Sequence, residues 1–302
     1  MMDSAIGLGS GRGSAEDLRM IAGHLRARNR RRRLVGIGRH VFLAVVTFLL
    51  VAPFYYVVLA SLKNSTEIFS YPPKLLPIPP FTGNYEKLIF STGFPRWMLN
   101  TLFVAGSVTL IKVFIDSMAG YALAKLELTG KRAIFLLMLT LLMVPLGALI
   151  VPLWSLTSAM HITNTYLALI LPPLANPLGV FLMRQFILGL PSDLVNAGRL
   201  DGLSEFAIYR QIVLPLIKPG LVVLAVIIFT DQFMSFVWPL IATTSDDLQV
   251  LTVGVAALRA HGGANYGLWS AAAVMSLVPI GVFFFALQRQ FLARSLAGAL
   301  KQ

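Results

Sequence analysis

Few side chains in this sequence have the type and spacing to do chemistry. Lys112 and Asp116 stand four residues apart inside an apolar stretch, where an i,i+4 pair shares one helix face and can neutralise its charges. They read as a structural ion pair, with a proton or ligand relay as the alternative. Asp231 lies in another apolar stretch with no partner near it in sequence. A carboxylate there must face a bundle interior, a partner or water, so it either binds a polar solute in a central cavity or ties two helices together. Gln232, Ser235 and Trp238 belong to the same stretch. Trp238 offers an aromatic face to a ligand or an anchor at a membrane interface. His161 and His261 lack metal-ligand spacing and read as solvated, so no metal site is expected.

Catalytic constellations are missing. A phosphate loop needs G-x-x-x-x-G-K-[ST], but the only Gly-Lys pair, Gly130-Lys131, is followed by Arg132 and has Lys125 where the first glycine belongs. There is no HExxH, no GxSxG and no paired-carboxylate spacing. The chain is therefore expected not to be an enzyme, and any energy source must lie in a partner.

The elements that hold these residues follow from composition. Of 302 residues, 57% are hydrophobic and 13% charged, and there is no cysteine. A soluble domain carries about 25% charged residues, so this chain cannot furnish a polar outer layer. Disordered, disulfide-stapled and zinc-ribbon classes are excluded as well. Residues 41–62 are uncharged, long enough to cross a bilayer and too long for a signal-peptide core. Further apolar segments cover about 97–122, 133–154, 166–188, 216–240 and 266–287, the third and fourth divided by the polar stretch 155–165. The expected fold is all-α, a polytopic membrane protein with six transmembrane helices.

Net charge is +12, from 25 Lys/Arg against 13 Asp/Glu. Nine arginines fall within residues 1–40, including Arg30 to Arg33. Such an arm could bind nucleic acid, but beside apolar segments it reads as a cytoplasmic topology signal that can touch anionic lipid. With that end inside, 19 basic residues lie on inner segments and five (Lys63, Lys74, Lys87, Arg96, Arg259) on outer ones. Both termini are thus expected in the cytoplasm. The organisation reads as a basic arm (1–40), a six-span domain (41–290) and a cytoplasmic tail (291–302). Two outer loops stand out: the proline-rich stretch within 63–96, and 245–267, a plausible contact region for an outside partner.

One inner segment, residues 190–220, is too polar to span and too apolar for a loose loop. Pro191, Ser192 and Asp193 make a helix start, Leu194, Ala197 and Leu200 recur at helical spacing, and Asp201-Gly202 punctuates. A second short helical pattern runs from Leu203 to Ile212, and Leu214-Pro215 ends it. It is either an interfacial helix on lipid or a knob that docks in another protein.

This segment resembles the "EAA" loop of permease subunits of bacterial ATP-driven importers. Asn196 stands at the Glu of that pattern, followed by Ala197 and Gly198, and Gly202, Ile212, Leu214 and Pro215 fall at its offsets of six, sixteen, eighteen and nineteen. The run Arg199 to Gly202 also matches. Asn100-Thr101, Ala119 to Ala124, Met143-Val144-Pro145, Asn164-Thr165-Tyr166, Arg184-Gln185-Phe186, Trp238-Pro239-Leu240 and Gly298 to Lys301 resemble the carbohydrate-importer permeases, above all the smaller six-span partner of maltose-type and glycerol-3-phosphate-type systems. The chain departs from the pattern at Asn196, which cannot form an ion pair, at Gly198, which loosens the helix by about 1 kcal/mol, and at Met234-Ser235, where an acidic or amide pair commonly precedes Trp-Pro-Leu.

The resemblance implies a bacterial plasma-membrane location, a heterodimer with a second permease, two cytoplasmic ATPase subunits that hold ATP and Mg, and an extracytoplasmic solute-binding protein. This chain itself would bind no cofactor and no nucleic acid. Asn196, Ala197, Gly198, Asp201, Gly202, Glu205, Ile212, Leu214 and Pro215 would couple to an ATPase subunit, and Asp231, Gln232, Ser235 and Trp238 are pathway candidates for sugar hydroxyls and rings. A permease of the same machinery for glycerol-3-phosphate, a peptide or an amino acid remains open, as does an ion-coupled secondary transporter using Lys112, Asp116 and Asp231. With Arg184 and Lys218 counted with the inner segments, Lys112 is the one basic residue within a span, which favours a neutral sugar over a phosphate-bearing solute.

Overall fold

The computed structural model describes the backbone of residues 13–72, 74, 76–261 and 265–299, with side chains between residues 35 and 287 except at those gaps and at residue 261. The first twelve residues of the basic arm and the last three of the tail lie outside the described residues. Every regular element among those described is helical, in keeping with the all-α expectation.

Residues up to Tyr56 form a unit of their own. It consists of the first part of helix α1 (Gly13–Ser61), whose apolar stretch from Val35 is about 40 Å long at 1.5 Å per residue, ample for a bilayer core. Its apolar side chains face outward; Phe48, for instance, is 72% exposed. Such an apolar surface suits a membrane or another apolar partner rather than water.

The second unit, from Val57 onward, is built around α4 (Phe94–Lys125). This helix packs most extensively on α8 (Leu178–Leu188) and then on α12 (Lys218–Phe233). Two apolar clusters result. One joins Val108 to Met183, Ile187, Leu224 and Trp238. The other joins Trp97 and Ala105 to Phe229, Phe233, Leu251 and Ala271. Small residues permit the close α4–α8 approach: a Cβ on Gly120 would lie 2.7 Å from Met183 Cβ.

The apolar segments differ in shape from straight spans. Among the described residues, only Val35–Ser61, α4 and residues Tyr266–Leu287 of α15 (Tyr266–Ala299) are single helices long and apolar enough to cross a membrane. The segment expected at 133–154 is two helices, α5 (Lys131–Leu142) and α6 (Leu146–Ala159), bent by 102°. Pro145, which lacks an N–H and holds Val144 out of the helical region, breaks it. The segment at 166–188 divides into α7 (Tyr166–Leu174) and α8, bent by 42° ahead of Pro177. The segment at 216–240 is interrupted after Phe233, and α13 (Val237–Ala242) starts anew. By length and composition the described residues thus hold three helices able to cross a membrane, or up to six if each bent pair is one span.

Candidate functional site

Residues 190–220 form a compact knob of short helices. Helix α9 (Ser192–Leu200) turns Val195 and Gly198 inward; a Cβ on Gly198 would come within 2.8 Å of Ile212 Cδ1, so its lack of a side chain lets α9 lie close on the following helices. Leu194, Ala197 and Leu200 are all exposed, Leu200 at 89%. The apolar repeat read from the sequence is therefore the outward stripe, not the packed face. Asp201 is exposed and Gly202 adopts φ +75°, the left-handed region open to glycine at little cost. Ser204 then caps α10 (Glu205–Ile208) by accepting from Ala207 N at 3.3 Å.

Leu214-Pro215 does not end the helix, contrary to expectation. The chain passes through a π turn at Tyr209–Val213 and continues as α11 (Leu214–Leu216); the break, with an 80° bend into α12, comes at Ile217. The wider π turn gives Pro215 room where an α-helix would press its ring on a carbonyl one turn back. Asn196 is exposed and accepts only a long bond, 3.4 Å, from Arg199. Ile212 and Leu214 are half-buried and Pro215 is exposed.

A polar stripe on α4 holds this knob. Ser117, Tyr121 and Lys125, spaced by four, lie on one helix face. Ser117 shares a 2.7 Å hydrogen bond with Tyr209, and the Tyr121 hydroxyl donates to Glu205 Oε2 at 2.5 Å. Lys125 Nζ donates to the Leu190 carbonyl at 2.8 Å and to Ser192 at 3.1 Å. Arg199 pairs with Glu205 Oε1 at 2.7 Å and donates to the Lys125 carbonyl at 3.2 Å. The Arg199 guanidinium, with the Tyr121 hydroxyl, holds the Glu205 carboxyl below its ordinary range, so it is ionised at neutral pH. The Arg199–Glu205 pair is partly solvated and worth at most about 1 kcal/mol. The bond from buried Tyr121 to a charged acceptor is the stronger tie, about 1.5–3 kcal/mol. Both oxygens of Glu205, counted among the coupling candidates, are thus engaged within the chain. Sequence reading missed Tyr121 and Lys125; the signal was a polar residue every fourth position at the C-terminal end of an apolar segment.

Lys112 and Asp116 are brought together, Nζ to Oδ2 3.0 Å, with side chains 5% and 2% exposed. Lys112 also donates to the Asn176 carbonyl at the α7–α8 break, at 2.6 Å. A Cβ on Gly179 would stand 1.9 Å from Asp116 Oδ2, so the pair seats against a helix that only glycine allows so near.

The pathway candidates are not brought together. Asp231 is exposed on α12 and does have a neighbouring partner, since Gln232 Nε2 donates to it at 2.9 Å. Ser235 lies beyond the end of α12, its carbonyl accepting from Thr252 at 2.6 Å. Trp238 is on α13 and 4% exposed, its indole N–H donating to the Ala168 carbonyl at 2.8 Å. Enclosed in the core, it has no face left for a ring to stack on and is not an interfacial anchor. His161 is exposed, the side chain of His261 lies outside the described residues, and no cluster of three or more metal-ligating groups occurs among the described ones.

Other recurring residues knit the opposite end of α4. Asn100 Nδ2 donates to the Asp247 and Gln249 carbonyls at 2.9 and 2.8 Å and accepts from Tyr166 at 2.7 Å. Arg96 pairs with Asp247 at 2.8 Å. Asn164, at φ 56°, accepts from Thr244 N, Ser245 N and Ser245 Oγ, each at 3.0 Å.

Comparison with known proteins matches residues 116–296 to the family described as "Binding-protein-dependent transport system inner membrane component". The arabinooligosaccharides transport system permease protein AraQ of Halalkalibacterium halodurans is 35% identical over 262 residues, covering 85% of this chain and 94% of that protein. The sn-glycerol-3-phosphate transport system permease protein UgpE of Salmonella typhi is 30% identical, covering 86% and 95%. Among solved structures, a bacterial ABC transporter that imports the acidic polysaccharide alginate shares the fold at a TM-score of 0.75 with 19% identity, covering 85% of this chain and 96% of that one. The helical fold, the apolar spans and these matches converge: the chain belongs to the binding-protein-dependent transport system inner membrane components, the permease subunits of ABC importers.

Proposed function

We propose that the chain is the smaller of two permeases that together form the import path for a carbohydrate, and that its 190–220 segment docks in a cytoplasmic ATPase subunit. The observation that carries this reading is the outward stripe Leu194, Ala197 and Leu200 on a knob fastened to α4. Exposed apolar side chains on a rigid polar-rimmed projection fit a protein cleft. Closure of two ATPase subunits around ATP and Mg would move the knob as a lever and turn the path from outside to inside. In this reading α5–α6 and α7–α8 are one crossing each and α12, entered from the knob, is another, giving six spans with α1, α4 and α15, and the 1–40 arm and the 291–302 tail lie in the cytoplasm.

Asp231 supports a second permease. It is exposed on this chain, and facing lipid would cost several kcal/mol, so a partner helix or the aqueous path covers it. Asp231 and Gln232 are the pathway residues in this reading. Lys112 is committed to Asp116 and Asn176 and offers no free cation, which favours an uncharged sugar over a phosphate ester. The named relatives act on an arabinooligosaccharide in one case and on glycerol-3-phosphate in another. Specificity would rest largely with an extracytoplasmic solute-binding protein.

Reconstitution tests this. The assembly purified with this chain should import a labelled sugar only with ATP and the cognate binding protein present. Uptake by the chain alone, driven by an ion gradient, would replace the reading with a secondary transporter.

A further inference from the structure

We infer that Tyr121 and Glu205, with Arg199 behind them, are the positioning residues that make the 190–213 knob move with α4. The inference rests on the coupling role proposed above. A displaced knob could act through its chain ends or through its side-chain ties. The chain ends are poor levers: one passes through Gly189 and Pro191, the other through the 80° bend at Ile217. The ties lead instead to a single 32-residue helix, about 48 Å long at 1.5 Å per residue.

That helix is fastened along its length. It carries Arg96 and Asn100 bound to the 247–249 backbone at one end, Lys112 and Asp116 against the α7–α8 break midway, and Ser117, Tyr121 and Lys125 on the knob at the other. A displacement of the knob therefore reaches the far side of the protein through one rigid element. Tyr121–Glu205 is the tie to test because it is the hydrogen bond to a charged group in a seam where Val195, Ile208 and Tyr209 of the knob also join Tyr121 in one apolar cluster. It borders an open, mainly apolar cavity of about 180 Å³, also lined by Met118, Leu126 and Phe206. Glu205 in turn receives Arg199 of α9, so one carboxylate joins α4, α9 and α10.

The test counts sugar molecules imported per ATP hydrolysed in the reconstituted assembly. Tyr121→Phe removes one hydroxyl and no packing. It should leave the ATPase bound and hydrolysing while the ratio falls about tenfold or more, as expected when a hydrogen bond to a charged group is lost. Glu205→Gln keeps an acceptor for Tyr121 and should lower the ratio less. The double variant should be no worse than Tyr121→Phe alone, because both act on one tie. If Tyr121→Phe fails to assemble, the Glu205→Gln ratio decides. An unchanged ratio, or uptake and hydrolysis falling in parallel with thermal stability, would overturn the inference. Leu200→Glu separates the two failures: retention of the ATPase by that variant would sink the coupling role itself, whatever Tyr121→Phe does.

Discussion

Gly202 shows how one residue's backbone can decide an assembly. Its φ of +75° is accessible to glycine and tolerated by asparagine, while a β-branched residue pays about 1–2 kcal/mol there. No atom lies within 4 Å of the site a Cβ would take, so conformation and not space is the constraint. Gly202→Val should therefore abolish uptake with membrane insertion intact, whereas Gly202→Asn should retain most of it; equal loss in both would point to a steric role. Lys112 and Asp116 give a second test. Asp116→Ala strands a buried ammonium and should destabilise by about 3–5 kcal/mol. Lys112→Met combined with Asp116→Asn removes both charges and should recover most of that loss in thermal unfolding of the solubilised protein. Failure to recover would mean that the charges serve transport. The pair itself was legible from its i,i+4 spacing, but Gly179 as its seat was not, because nothing in sequence places residue 179 beside residue 116.

At the scale of elements, hydropathy located the apolar segments and was blind to their direction. Residues 133–154 read as one span, yet α5 and α6 meet at 102° around Pro145, and the 216–240 segment stops at Phe233. Trp238 reads from its type as a ligand face or an interfacial anchor; hydropathy does not show that it sits buried on a separate short helix, α13. The 190–220 segment was legible because it mixes capping residues, a glycine turn and an apolar repeat. Which face of that repeat packs was not, since Leu194–Leu200 and Val195–Gly198 are both apolar stripes and only the neighbouring helices choose between them. Asn164 joins two further elements, the α6–α7 turn and the strand-free 243–245 stretch. Asn164→Ala loses an acceptor of three bonds and puts an alanine at φ 56°. It should cost about 2–3 kcal/mol, read as a lower unfolding temperature, with Asn164→Asp, which keeps the acceptor, losing less.

The chain is a multi-pass inner-membrane permease in which α4 carries polar contacts at one end to the 247–251 backbone, midway to the α7–α8 break, and at the other end to the knob. The absence of cysteine makes its topology directly measurable. Tyr71→Cys, at a residue 97% exposed in the loop after α1, should react with a membrane-impermeant maleimide in cells whose inner membrane is intact. Leu200→Cys should react only after that membrane is opened; the reverse pattern would invert the proposed orientation. The central claim, that the knob seats an ATPase, is tested most directly by purifying the tagged chain from its native membrane in mild detergent, with and without Leu200→Glu, and identifying its companions by mass spectrometry. The account predicts a second permease and an ATPase in stoichiometric amounts with the natural sequence, and loss of the ATPase alone with the variant. Recovery of the chain by itself, or an ATPase bound equally well to both, would contradict it.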